Sequence, residues 1–310
     1  MVEDSIIVGL FASGLSLMTP LLFAALGEKL AERSGVLNLG VEGMMLMGAF
    51  AGFMGAYFSG SLLIGILLGV TVGGVMAALF SFLNITLRTN QMVAGMAIWL
   101  LGLGLSSFLY RLSFGVVPIA PRVEPLARVE IPVLSNIPAI GPVIFHQDIL
   151  VYVALALVPI LHIVMFRSKL GLKIRTVGEN PKQADTQGVN VFQMRYLAVI
   201  VGGALAGIGG AYLALAINGT FIENMTAARG WIAIALVIFG RWKPLGILIA
   251  ALLFGMVESL QFTIQAAGSD VPYQFMLMLP YLMAIVVMAA TYKRTIQPAA
   301  LTMPYSREEK

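Results

Sequence analysis

The chain is built mostly from uncharged apolar stretches long enough to cross a lipid bilayer. They fall at about residues 5–27, 36–58, 61–87, 91–110, 148–166, 195–217, 229–240, 244–266 and 273–292. A membrane helix needs roughly 20 mostly apolar residues, and all its backbone polar groups must bond internally where no water is present. The stretch 229–240 is too short to span unaided, which predicts that it borrows flanking residues or is tilted or broken. Composition agrees: 59% of residues are hydrophobic and 11% charged, against about 25% charged in a soluble domain. Mean hydropathy is +0.92. These features predict an all-α polytopic membrane protein, a single domain over 1–310 with about nine spans, eight and ten being neighbouring counts. They exclude a disordered chain and a nucleic-acid-binding domain.

Lys and Arg predict the orientation, because they collect in cytoplasmic loops. With the N-terminus outside and the C-terminus inside, fifteen of the nineteen basic residues fall inside. These include Lys29, Arg33, Arg88, Lys169, Arg175, Arg195, Arg241, Lys293, Arg294 and Lys310. Only Arg111, Arg122, Arg128 and Arg229 fall outside. The net charge of +4 follows from these loops. The start, Met1-Val2-Glu3-Asp4, lacks the basic region of a cleaved signal. Two long connections remain. Residues 111–147 form an external Pro-rich loop, with Pro118, Pro121, Pro125, Pro132, Pro138 and Pro142 favouring extended and turn structure. Residues 167–194 form the most polar, cytoplasmic connection, and 293–310 a cytoplasmic tail.

There is no cysteine, and His146 and His162 stand apart, so disulfides, thiolate sites and a His-rich metal site are not expected. No cofactor is expected either. No Lys follows a Gly, which removes the phosphate-cradling P-loop, and G-x-S-x-G and H-E-x-x-H are missing. GGALAGIGG at 202–210 lies inside an apolar stretch and is read as packing. So are Gly65, Gly69 and Gly73, the pair Gly203 and Gly207, and the pair Gly48 and Gly52, whose four-residue spacing lets helices approach closely in lipid. Met44, Met45 and Met47 are read as adaptable core filling.

Polar groups within spans are costly and mark function or structural bonding. Asn38 and Glu42 are four apart and are expected on one helix face. They would either border a solute path or cap the helix, with Gly40 and Gly43 pointing to a break. Glu258, Gln261 and Gln265 form a polar stripe that would line a path or bond a neighbouring helix. With no Lys or Arg mid-span, Glu258 is expected to be protonated or bonded by amides. Asn90 and Gln91 are similar candidates near Arg88. In the polar connection, Asn180 before Pro181 predicts a helix start and Gly188 its end. That helix of about seven residues, roughly 10 Å long, would be either a docking element or an incidental turn.

The segment ENPKQADTQGVNV resembles the coupling segment of ABC importer permeases of the branched-chain amino acid, ribose and nucleoside type, G-x-N-x-x-A-A-x-x-x-G-I. Gly178, Asn180, Ala184 and Gly188 match; Gln183 stands where an Ala is usual and Val189 replaces Ile. TPLLFAALGEKLAERSGVLNLGVEGMMLMGAF, residues 19–50, resembles the opening of the nucleoside and simple-sugar branch, and LSNIPAIGPVIFHQDILVY, 134–152, its outer loop. The resemblance covers nearly the whole chain. It implies a type II-like ABC importer permease in the cell membrane, itself non-catalytic, with Gly178, Glu179, Asn180, Pro181, Ala184 and Gly188 coupling to an ATPase. It implies as partners that cytoplasmic ABC ATPase, an external solute-binding lipoprotein and a second permease subunit in a heterodimer, within the lipid bilayer and without nucleic acid. It also places Asn38 and Glu42 near the path. Nucleosides are the expected solute, then simple sugars, then branched-chain amino acids. The rival class is a stand-alone secondary transporter or channel, with Glu42 and Glu258 as ion sites.

Overall fold

The computed structural model describes residues 2–115, 120–130, 132, 135, 137, 140–266, 272–291 and 297–307. Pro118 and Pro138 of the Pro-rich connection, and Lys293, Arg294 and Lys310 of the tail, lie outside the described residues. The elements run α1 (Val2–Arg33), α2 (Val41–Ser59), α3 (Leu62–Ser81), α4 (Gln91–Phe114), β1 (Arg128–Glu130), α5 (Ile140–Ile144) and β2 (His146–Asp148). They continue with α6 (Ile149–Arg167), α7 (Lys169–Glu179), α8 (Pro181–Thr186), α9 (Val191–Tyr212), α10 (Arg229–Phe239), α11 (Pro244–Ala266) and α12 (Tyr273–Thr291). Single π-helical segments, Phe82–Thr86 and Leu213–Asn218, prolong α3 and α9.

Among the described residues, seven helices are long and apolar enough to cross a membrane, and two shorter apolar helices cover Arg229–Phe239 and Gln274–Val287. The stretch too short to span is α10, with 11 residues, about 16 Å of helix.

The centre of the bundle is the seam where α1, α2, α3 and α9 meet. Lipid tails are as apolar as leucine, so close backbone approach must supply the attraction. The glycine ridges do this. A Cβ on Gly73 would lie 2.4 Å from the Gly203 carbonyl oxygen, one on Gly207 2.2 Å from that of Gly69, and one on Gly48 2.5 Å from the Gly207 Cα. Met44 and Met45 are fully buried beside them. The outward faces of α3, α4 and α11 instead present Leu63, Val75, Val93, Leu112 and Ile249.

Two parts differ from the sequence expectation. The first apolar helix does not stop near residue 27. It continues to Arg33 and carries Glu28, Lys29 and Glu32 into the protein, each at most 1% exposed. Their surroundings meet only part of the cost of burial, since Glu28 Oε2, Lys29 Nζ and Glu32 Oε1 are buried with no hydrogen-bond partner among the described residues. Glu28 Oε1 accepts the Asn38 amide at 2.9 Å, Glu32 Oε2 accepts the Trp242 indole N–H, and Lys29 Nζ sits 5.8 Å from the Phe166 ring centre. Lys29 is therefore an interior group and not a solvated loop charge. The second difference is α7, which lies in the polar connection where a single short helix is expected.

The Pro-rich connection has neither helix nor strand over 120–127. It docks on the end of α9 through Val123 N to Gly219 O (2.9 Å) and Leu126 N to Leu215 O (3.0 Å). It then enters β1, which pairs antiparallel with β2, Arg128 opposite Asp148. Asp148 caps α6 through the Leu150 and Val151 amides and accepts the buried Tyr212 hydroxyl at 2.7 Å.

Candidate coupling surface and solute path

The polar connection folds into a helical elbow. Ser168 caps α7 by accepting the Gly171 amide at 3.1 Å. A Cβ on Gly171 would lie 2.2 Å from the Val164 carbonyl oxygen, so α7 turns back tightly against the end of α6. Gly171, Ile174, Val177 and Gly178 form the buried side of α7. Gly178 abuts α1, its missing Cβ only 2.2 Å from the Arg33 carbonyl oxygen. The apolar spacing and the Ser168 cap were legible signals for this helix; the high share of basic and polar residues hid them.

The short helix α8 follows the expected punctuation. Asn180 Oδ1 accepts the Gln183 amide at 3.1 Å, Pro181 takes the first turn, and Gly188 has φ +79°. Ala184 is buried against Val177, Val191 and Tyr305. Glu179 is the last residue of α7, directly before the Asn180 cap of α8. Its carboxylate lies 3.8 Å from Arg33 Nη1 and accepts the Ala299 amide at 3.3 Å. Between α7 and α8 runs an open groove of about 490 Å³, bordered by Lys169, Leu172, Lys173, Thr176, Gln183 and Gln187.

Asn38 and Glu42 do not share a helix face, because Asn38 precedes α2 in the corner after α1. The corner is closed by side chains. Asn38 Oδ1 accepts the Gly40 amide at 3.0 Å, and Gln91 Oε1 accepts the Leu37 amide at 2.9 Å. Asn90 caps α4 through the Met92 and Val93 amides. Glu42, 2% exposed, is a hub. Its Oε1 accepts the Thr226 hydroxyl at 2.6 Å and the Ala228 amide at 2.8 Å, and its Oε2 accepts the Gly230 amide at 2.6 Å. A carboxylate at these free amides suits the positive end of α10. Ala227 and Ala228, at φ +46° and +67°, turn the chain so that the amides converge.

Glu258 has a basic partner, contrary to the sequence expectation. Arg229, at the first turn of α10, bonds Glu258 Oε1 through Nη2, and its Nη1 reaches the Met225 and Thr226 carbonyls. Both side chains are largely buried, 17% and 14% exposed. They line a cavity of about 190 Å³ together with Gln261, Phe262, Tyr281 and Pro280. The pairing was missed because Arg229 opens a short helix that folds back between longer ones, while counting along the chain assigned it to a loop. The Gln265 side chain lies outside this cavity lining. Among the described residues no cluster of His, Asp and Glu could hold a metal ion.

Comparison with known proteins gives this arrangement its context. Residues 10–288 match the family described as branched-chain amino acid transport system, permease component. A Haloferax volcanii protein provisionally named as the glucose ABC transporter permease TsgC13 is 39% identical, the match covering 98% of this chain and 99% of that one. The guanosine ABC transporter permease NupQ of Bacillus subtilis is 36% identical over 92% of each chain, and the nucleoside ABC transporter permease NupC of Lactococcus lactis 35% over 94% of each. An ABC transporter provisionally assigned to the metal-chelate type and solved in an inward-facing conformation shares the fold, with a TM-score of 0.52 at 17% identity over 92% of this chain and 85% of that one. With a family match across most of its length and full-length relatives above 30% identity, the chain belongs to the ABC transporter permease family of the branched-chain amino acid transport type.

Proposed function

We propose that this chain is the membrane-spanning permease subunit of an ATP-driven importer that carries nucleosides into the cytoplasm. The observation that carries the solute is the pair of relatives named for guanosine and for nucleosides, each matched over more than nine-tenths of its length. The site chemistry supports a neutral polar solute. The arginine at the α10–α11 cavity is already paired with Glu258, so it is poorly placed to receive a phosphate. The relative named for glucose favours a second reading, simple-sugar import by the same machinery.

In this proposal the chain has nine crossings in a type II-like permease, α10 being a partial one, with the N-terminus outside and the C-terminus cytoplasmic. The elbow of α7 and α8 faces a cytoplasmic ABC ATPase. Gly178, Glu179, Asn180, Pro181, Ala184 and Gly188 shape the docking helix and seat it on the bundle. An external solute-binding lipoprotein delivers solute, and a second permease subunit completes the path in a heterodimer. Glu258 and Gln261, with Arg229, border the path. Asn38, Glu42, Asn90 and Gln91 shape its cytoplasmic corner through the backbone they hold. The chain itself forms no covalent bond with solute; ATP hydrolysis by the partner drives rocking of the helices around the path.

The deciding experiment is uptake of labelled nucleosides and simple sugars by a deletion strain, with and without this chain and with ATP depleted. ATP-dependent nucleoside uptake restored by the chain is expected. Restoration of sugar uptake alone would shift the solute to the second reading. Uptake that survives ATP depletion would indicate an ion-driven carrier instead.

A further inference from the structure

The segment 297–307, expected to be a cytoplasmic tail, lies against four other parts of the chain. The Ala300 amide donates to the Gly178 carbonyl at 2.9 Å, tying the end of α7. The Thr302 amide donates to the Gly35 carbonyl at 3.2 Å, tying the corner between α1 and α2. Gly35 has φ +90°, and a Cβ there would meet the Ala300 carbonyl oxygen at 3.0 Å. Arg195, at the start of α9 and 2% exposed, reaches both neighbours: its Nε donates to the Ser34 carbonyl and its Nη1 to the Met303 carbonyl. Tyr305, 6% exposed, fills the space between Val177 of α7, Ala184 of α8 and Val191 of α9, with its ring 5.6 Å from that of Phe192. Arg307 Nη2 bonds Asp185 Oδ1 of α8 at 2.9 Å. An unbound tail would bury neither Tyr305 nor the Arg195 contacts.

We propose that residues 297–307 are a clamp that makes α7 and α8 move as one body with α1 and α9, with Tyr305, Arg195 and Arg307 as its positioning residues. The proposal rests on the reading of α8 as the ATPase-docking helix. A push on α8 moves the bundle only as far as its joints are stiff. Those joints are short, Asn180 on one side and residues 187–190 with Gly188 on the other, and a helix of six residues has little stability of its own. The clamp spans both joints and fastens the helix to elements that reach across the bundle. Its function is to turn docking into transmitted motion, not to bind the ATPase.

The test uses the whole importer, reconstituted in vesicles with its ATPase and binding protein, and reads solute moved per ATP hydrolysed. Coupling between two sites usually amounts to about 5- to 150-fold, so Tyr305→Ala should lower that ratio at least about fivefold while the ATPase still co-purifies and hydrolyses ATP. Tyr305→Phe, which keeps the ring packed, should retain most of the ratio. Arg307→Ala removes only an exposed pair, cannot unfold the bundle, and should give a smaller fall in the same ratio. An unchanged ratio in both Tyr305→Ala and Arg307→Ala would overturn the clamp. Loss of ATPase binding in parallel with uptake would overturn it too, since the segment would then belong to the docking face. Gly188→Val run alongside separates the premise: full ATPase binding and uptake in that variant would refute the docking role of α8 itself.

Discussion

Arg229 and Glu258, 29 residues apart in the chain, meet as an ion pair where α10 and α11 adjoin one cavity. Removing one member of a buried pair strands the other charge and costs about 3–5 kcal/mol, whereas replacing both with apolar groups is often neutral. Glu258→Leu should therefore lower the amount of folded permease as well as uptake. Glu258→Gln should be nearly as damaging, because the amide keeps a bond but not the charge. Arg229→Leu combined with Glu258→Leu should recover protein level. If the pair serves only stability, uptake recovers with it; if it borders the path, protein returns and uptake does not. Membrane-fraction yield and uptake measured on the same cells make the distinction.

The corner at Glu42 gives a second prediction. Glu42→Ala leaves the Ala228 and Gly230 amides and the Thr226 hydroxyl without their acceptor, and each buried unsatisfied group costs about 1–3 kcal/mol. The loss should show as poor membrane yield and an early thermal transition in detergent, before any uptake assay is read. A variant with normal thermal stability would mean that α10 does not depend on this carboxylate.

Asn180→Ala removes the cap of α8 and should cost about 1 kcal/mol of local helix stability, too little to unfold the bundle. Gly188→Val forces a β-branched residue into a positive φ and should do more. Both should insert at normal levels, yet ATPase co-purification and uptake should fall together, with Gly188→Val the more severe.

The clamp also has a defined acid response. Arg307, and after it the Tyr305 hydroxyl, bond Asp185 and hold its carboxyl below the usual range. A lowered carboxyl keeps its contribution at any pH above the unfolded value, about 3.9, and loses it only as pH falls through the folded value. Coupling through this group should stay flat from about pH 5.5 to 8. A drop in solute moved per ATP inside that window that vanishes in Arg307→Ala would contradict the assignment.

The orientation is open to a direct check. A reporter joined after Arg307 should be active only in its cytoplasmic form, and one placed within 120–127 only in its external form. The reverse pattern would invert every assignment of side made for the elbow and the clamp.

Much of the architecture was legible because lipid allows few solutions. Long apolar stretches give helices, glycines four apart give close crossings, and Asn-Pro with a later Gly gives α8. What the sequence hid depends on tertiary partners. Lys29 and Glu32 read as loop charges until Phe166 and Trp242 are seen beside them. Asn38 and Glu42 read as one face because nothing in their spacing reveals that α2 begins at Val41. Arg229 was set outside the membrane by its position in the chain, although its partner Glu258 sits on the next helix, α11, beside it in space. Residues 297–307 carry no periodic pattern, so their order follows only from the grooves they fill.

The brevity of α10 has an electrostatic consequence. Its eleven residues rise about 16 Å, roughly half the hydrocarbon thickness. Arg241 and Lys243 lie just beyond one end, the end that basic residues would favour on the watery side. The other end, where free amides gather and positive potential is greatest, is buried within the protein beside Glu42. In many proteins such a point attracts a passing anion. Here the Glu42 carboxylate already occupies it. If α10 borders the proposed path, the potential a negatively charged solute would feel there is neutralised in advance, a bias toward molecules that carry hydroxyls and no net charge.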